Sequence, residues 1–417
     1  MKEISEAGGK TLNKMDRSFF NFAISLYIPS FFIQLGYGLV SPIMPIYAQS
    51  FGIDYAMVAL VTTFNALGRI VSDVPLGWVS DRFGRRPLSI LGPLLITVSA
   101  IMSALAGTFY ELLAYRFLTG VAMSMWMVAR SAMIAESIHP SIRGRVMSTF
   151  QGVNMIGTAA GPAIGGIAAE LWGIRSPFFF YGGSTFISLL ASLAFIKETN
   201  PHGREVRERK ESEKVSLREV AKLFTFPVIM AAFANFVNFV RFAARSVVIP
   251  LFAADVLHLD PGEIGLVLSA STLANLVMVT PAGYIVDKYG RKKGLVPAFL
   301  MTGLVFALYP YATDFTSITI YSALLGITSG LGGGATQTMA ADLAPEGYRG
   351  FFLGFWTTIG DFGSAIGPVA LGMVADVSGL AMPFYVLAVL MIICSVTTQL
   401  FVKETYKREK LVKTEDH

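Results

Sequence analysis

Apolar residues fall into runs of roughly 20 along the whole chain, divided by short polar turns. A helix of that length crosses a hydrocarbon core about 30 Å thick. The runs lie near 20–48, 57–80, 87–107, 111–138, 145–172, 177–196, 226–254, 262–286, 293–312, 315–342, 349–376 and 380–402. They predict an all-α membrane protein of twelve transmembrane helices. The one long charged interruption, NPHGREVRERKESEKVSLRE, reads as a linker between two six-helix halves. The predicted plan is a tail over 1–18, a first bundle over 19–196, the linker over 197–225, a second bundle over 226–402 and a tail over 403–417. The first run starts near Phe19 and lacks a small-residue cleavage site, so it reads as a retained helix.

Composition agrees with this pattern. Of 417 residues 53% are hydrophobic and only 15% charged, against about 25% charged in soluble domains. The net charge of +5 is explained by position. With these spans, the tails, the linker and the even-to-odd turns carry 27 of the 33 lysines and arginines. The opposite side carries Arg175 alone, and Arg69, Arg116, Arg130, Arg241 and Arg245 lie inside spans. The positive-inside rule therefore places both tails and the linker in the cytoplasm of a multi-pass cell-membrane protein. The basic excess is topological, and no nucleic-acid partner is expected.

The two halves repeat. GWVSDRFGRRP from Gly77 returns as GYIVDKYGRKK from Gly283, an offset of 206 residues. The same offset maps Pro75 on Pro281, Gly120 on Gly326, Glu136 on Asp342, and Arg143-Gly144 on Arg349-Gly350. It also maps Gly157, Gly161, Pro162 and Gly166 on Gly363, Gly367, Pro368 and Gly372, Glu170 on Asp376, and one KET (197–199) on another (403–405). Helices 1 and 7 align one residue differently, Pro45 on Pro250. Six helices per half give both halves the same orientation. Parallel repeats about an axis along the membrane normal place a substrate site near the midplane between them.

At these residues the sequence resembles the major facilitator superfamily, over essentially the whole chain. Gly77, Asp81, Arg82, Gly84, Arg85 and Arg86 match its signature between helices 2 and 3. RFLTG, with Arg116 and Gly120, resembles the helix 4 signature of the drug:proton antiporter branch. GTAAGPAIGG, with Gly157, Gly161, Pro162, Gly165 and Gly166, resembles that branch's helix 5 antiporter signature. Helix 1 departs from the branch, since it offers Gln34, Tyr37 and Ser41 but no acid.

The charged turn suggests a latch. Gly77 would let another helix approach closely, and Gly84 permits a turn that a side chain hinders. By the resemblance, Asp81 faces the positive end of helix 11, near Arg349, and Arg85 pairs with Glu136. Arg82 shares the cluster, and Asp287, Arg291 and Asp342 repeat it. Exposed ion pairs are worth about 0–1 kcal/mol each, so such a network holds reversibly.

Charges inside spans need a wet cavity or a partner, since each costs roughly 2.5–3.5 kcal/mol at a helix centre. Asn235, Asn238, Arg241 and Arg245 fall on one arc of about 120° of helix 7. By the resemblance that helix, with helices 1, 4 and 10, faces the cavity. The expected substrate-cavity residues are thus Gln34, Tyr37, Arg116, Asn235, Asn238, Arg241 and Arg245. Arg130 reads equally as a member of the Glu136 network. Arg69 and Asp73, spaced i,i+4, can satisfy each other. Asp361 lies about 18 Å along helix 11 from Arg349, near mid-depth, and is the first choice for proton coupling, with Asp73 second. Five arginines against two mid-depth acids favour an anionic or zwitterionic substrate, or an amphiphile with an anionic head. Gly157, Gly161 and Gly165 form a small-residue face expected to pack across the seam between halves, with Pro162 kinking the helix.

Other chemistry is absent from the sequence. GGKT at Gly8–Thr11 lacks the first glycine of a phosphate loop. The four histidines and the single cysteine, Cys394, form no metal-ligand spacing. No cofactor, no metal and no enzymatic activity are expected. The reading is a monomeric secondary transporter that exports a small amphiphilic, anionic compound by alternating access, coupled to proton influx. The alternatives are an importer or facilitator of an organic anion, and a non-transporting membrane sensor or scaffold.

Overall fold

The computed structural model describes residues 25–138, 140–196, 198–199, 225–344, 349–402 and 404, and its regular structure there is helical. Both tails and nearly all of the linker lie outside these residues, as do the side chains of Arg143 and Arg349 and the surroundings of Gly144 and Gly350. The first half contains α1 (Ser25–Val40, resumed over Met44–Gln49), α2 (Tyr55–Phe83), α3 (Arg85–Leu105), α4 (Phe109–Ser137), α5 (Pro140–Trp172) and α6 (Ser176–Phe195). The second half contains α7 (Phe226–Asp255), α8 (Pro261–Tyr289), α9 (Arg291–Leu308), α10 (Phe315–Leu343), α11 (Arg349–Ser378) and α12 (Met382–Phe401). Among the described residues ten helices are long and apolar enough to cross a membrane. The shorter described part of α1 and the 33-residue α5 complete the twelve.

Local chemistry sets the ends. α2 and α8 start after Asp54 and Asp260, a matched pair in extended backbone, and Asp260 forms a capping box with Glu263. They end at Gly84 and Gly290, with φ of 96° and 111°. A side chain resists that conformation, which explains why the repeated turn keeps its glycine. Two interruptions were not predicted. α1 breaks over 41–43, where Pro42 cannot donate to the Gly38 carbonyl; the Ser41 hydroxyl donates to it instead at 3.0 Å. α7 contains a π turn over Ala244–Val248, just before Pro250, which cannot donate to Ser246.

The packing obeys the repeat. α2 lies on α4 as α8 lies on α10, and α3 lies on α6 as α9 lies on α12. Between halves α2 packs on α11 and α5 on α8. The 206-residue offset converts one seam into the other. Small hydroxyls tie helices within each half: Ser99 with Thr119 and Thr97 with Thr185, both at 2.9 Å, then Tyr309 with Ser322 at 2.9 Å. Each such bond in a bilayer contributes about 0.6 kcal/mol.

Candidate functional site

A cavity of about 250 Å³ opens beside α7, lined by Asn238, Arg241, Arg245, Asn275, Ser329 and Gln337, among others. A second, of about 330 Å³, lies between the halves and is lined by Gln34, Tyr37, Asn65, Arg69, Phe239 and Ser246 among others. The two share Phe239 and Phe242. A narrower cleft holds Arg116 with Tyr37, Tyr181 and Ser246. Together the linings include four arginines and no aspartate or glutamate. Arg241 donates to the Ser329 hydroxyl and Arg245 to that of Thr272. Arg116 is 6% exposed, and its Nε finds no partner.

The helix 7 arc is only partly wet. Asn238, Arg241 and Arg245 line the cavity, but Asn235 is fully buried and donates to the Trp356 carbonyl of α11 at 2.9 Å. A 120° arc is wider than the cavity, so its edge meets the neighbouring helix. Arg245 and Ser246 lie in the π turn, a feature that often marks functional positions. Arg130 does not take the Glu136 option: its guanidinium lies over the Phe150 ring, 4.2 Å from the centroid, a cation–π contact.

The i,i+4 pairing of Arg69 with Asp73 is not formed. Arg69 instead reaches across the seam to Asp361 of α11, at 3.5 Å. Asp73 accepts the hydroxyl of Ser124 from α4. The Arg69–Asp361 pair is the one ion pair between halves among the described residues, and both side chains keep partial solvent access, 32% and 21%.

On the side where the linker and tails emerge, the repeated turns build matched clusters. Arg85 holds Asp81 and Glu136, both at 2.8 Å, and Arg291 holds Asp342 at 2.9 Å and Asp287 at 4.0 Å. Each of these four ion pairs joins residues of one half. The KET repeat also finds its use here. Glu198 accepts from the amides of Arg85 and Arg86, at 2.9 and 3.1 Å, and Glu404 does the same for Arg291 and Lys292. Each carboxylate caps the N-terminus of α3 or α9, where helix dipoles favour negative charge. The KET repeat is visible in the sequence, but its capping role needs the fold. The close approach expected at Gly77 is absent: no atom lies within 4 Å of where its Cβ would stand. Arg82 stacks over Trp78, 5.2 Å from the ring centroid.

The glycine face of α5 packs differently from expectation. Gly157, Gly161 and Gly165 meet α1 of their own half, at Phe31, Leu35, Gly38 and Leu39. The seam is served by the next residue, Gly166, against Gly265, and by the Pro162 carbonyl against the same glycine. One helix thus presents small residues to two neighbours on adjacent faces.

The far side, opposite the tails, is sealed by groups that sequence reasoning missed. Asp376 at the end of α11 accepts from the Tyr55 and Ala56 amides, at 2.8 and 3.0 Å, at the start of α2. Its repeat mate Glu170 lies against Gly262 at the start of α8. Asp255 of α7 accepts from Gln49 at 2.7 Å and from the Tyr55 hydroxyl at 2.8 Å. The Glu170–Asp376 match in the repeat was the available signal. Removing such a cap costs about 1 kcal/mol. Asp376→Ala is therefore expected to shift the balance of conformations about fivefold toward one open on the far side. Maleimide labelling of a cysteine at Thr62, in a Cys394→Ala background, reads that shift.

Known proteins place these features. The Major Facilitator Superfamily profile matches residues 26–240 and 231–417. The chain is 27% identical over 384 residues to an MFS-type transporter of Methanocaldococcus jannaschii, covering 90% of this chain and 96% of that one. It is 25% identical over 356 residues to the multidrug resistance efflux pump PmrA of Streptococcus pneumoniae, covering 83% and 87%. A bacterial homologue of the human lysosomal transporter Spinster, solved inward-facing and unoccupied, superposes with a TM-score of 0.74 over 92% of this chain and 97% of that one, at 15% identity. Two six-helix halves related by a 206-residue repeat, with a polar cavity between them, belong to a membrane transporter of the major facilitator superfamily.

Proposed function

We propose that this transporter exports an amphiphilic organic anion, driven by proton influx. The observation that carries the reading is the lining with four arginines, of which Arg69 alone has a carboxylate partner, Asp361. A cationic drug would meet like charge there. The positive-inside count puts the tail side in the cytoplasm, so a far-side seal means a cavity facing inward. The drug-efflux role named for PmrA supports the direction.

The cycle uses groups already described. In the inward-facing state Asp361 is ionised and held by Arg69. The anion enters from the cytoplasm, the halves close around it, and the tail-side clusters of Asp81, Arg82, Arg85, Glu136, Asp287, Arg291 and Asp342 come together as a latch. The seal at Asp376 and Asp255 then opens. After release outward, a proton from outside neutralises Asp361 and frees Arg69, which favours the return. Each elementary charge moved across 100 mV is worth about 2.3 kcal/mol, roughly a 50-fold gradient. With the interior negative, anion exit and proton entry are driven in the same sense.

Proteoliposomes test the reading. An imposed proton gradient is expected to drive uptake of an anionic amphiphile into inverted vesicles, with proton movement in the opposite direction. Equal counterflow with and without the gradient, and no proton movement, would make the chain a facilitator of organic anions instead. No flux in any condition would leave only a sensor or scaffold.

A further inference from the structure

Where the two halves differ is as informative as where they repeat. The tail-side clusters obey the repeat, but the cavity arginines break it. Arg116 stands where the second half has Ser322, while α1, the mate of α7, carries no charged residue at all opposite Arg241 and Arg245. The helices share their scaffold, so these exceptions were placed for something other than folding.

The three arginines are electrically unanswered. Among the described residues the Arg116 guanidinium makes no hydrogen bond or ion pair, although the residue is only 6% exposed; its carbonyl accepts from Asn65. Arg241 and Arg245 hydrogen-bond to neutral hydroxyls, Arg241 also lies over the Phe242 ring at 6.0 Å, and the Nε of Arg241 is buried without a partner; no carboxylate pairs with either among the described residues. Tyr37 and Ser246 line both the Arg116 cleft and the cavity between the halves, and Ser246 follows Arg245 in the π turn, so the two charge centres address one space from opposite halves. The cavity between the halves adds an apolar set, Phe239, Phe242, Met123 and Met127, beside its polar groups.

We propose that the substrate is an organic dianion: two anionic groups at the ends of an apolar or aromatic body, one held by Arg116 of the first half and the other by Arg241 and Arg245 of the second. This deepens the anion-export reading and rests on it. A guanidinium offers a planar fork that matches a carboxylate or phosphate in two parallel hydrogen bonds. A monoanion satisfies one half and leaves the other charged. A dianion satisfies both only when the halves approach, so it binds the closed state more tightly than the open one. That difference in affinity is what drives a conformational change.

Thermal stabilisation of the purified full chain in detergent tests this. The probes are a series of dicarboxylates from short aliphatic to biphenyl, the monomethyl ester of each, and tetraphenylphosphonium as a cation. At least one diacid is expected to bind roughly 10- to 100-fold more tightly than its monoester, the loss expected for a charged hydrogen-bond pair. Arg116→Gln and Arg245→Gln are each expected to make diacid and monoester bind alike without lowering the melting temperature of the free protein. Arg116→Lys, which keeps the charge but loses the fork, falls between and serves if the glutamine variant fails to fold. The proposal is overturned if monoesters bind as well as diacids throughout, if the cation stabilises best, or if the variants keep the full preference. Binding is read without flux. A diacid that binds but is not transported defeats the export reading alone.

Discussion

Gly161→Val is expected to yield little folded protein, with a melting temperature far below that of the parent. A Cβ at Gly161 would stand 2.5 Å from the Cα and carbonyl carbon of Gly38 and 2.7 Å from the Leu39 amide. Those are backbone atoms of α1, and they cannot rotate aside. The helices must separate, and the adjoining contacts of Gly157 and Gly165 open with them. In a bilayer, helix association depends on close packing rather than on removing apolar surface from water. The lost contact is therefore not recovered elsewhere. Overpacking of this kind costs about 3 kcal/mol. Gly152→Ala is the control on the same helix. Nothing lies within 4 Å of its added Cβ, and alanine is the better helix former by about 1 kcal/mol. Size-exclusion profiles and melting curves in detergent compare the two. Equal stability of the pair would refute the α1–α5 packing described above.

Asp361→Asn is expected to uncouple transport from the proton gradient while leaving counterflow intact. The substitution removes the one titratable partner of Arg69 across the seam. The variant cannot alternate between ionised and neutral, so it behaves as a carrier fixed in one protonation state. Substrate should equilibrate across the vesicle membrane but not accumulate. Breaking a fully buried ion pair costs about 3–5 kcal/mol. This pair retains solvent access on both sides, and a figure nearer 1 kcal/mol applies, so the variant should still fold. An Arg69→Gln, Asp361→Asn double variant removes both charges and should fold at least as well, again without coupling. Normal proton-driven accumulation by Asp361→Asn would move the coupling role elsewhere, with Asp73, which accepts from Ser124 at the α2–α4 contact, the next candidate.

These two residues also show how far linear reading extends. The small-residue spacing on α5 predicted a close helix contact, and one exists. Its partner was misplaced, because a 100° step per residue puts Gly165 and Gly166 on different neighbours and spacing cannot say which neighbour is which. Asp361 was placed at mid-depth from its distance to the helix end. Its pairing with Arg69 was missed in favour of the i,i+4 acid on the same helix. Local geometry allows that bond, but the seam brings α11 closer to the Arg69 head group.

Hydrophobic run lengths and the internal repeat were enough to predict twelve crossings in two parallel halves. These properties follow from each segment's contact with lipid and water, and each segment carries its own share of the information. Which charges meet, which are left facing the cavity, and that Asp376 and Asp255 seal the far side depend on distances between residues up to 321 positions apart. No segment holds those distances alone. They arise when helices pack, and packing is decided by shape at the contact between two surfaces far apart in the chain.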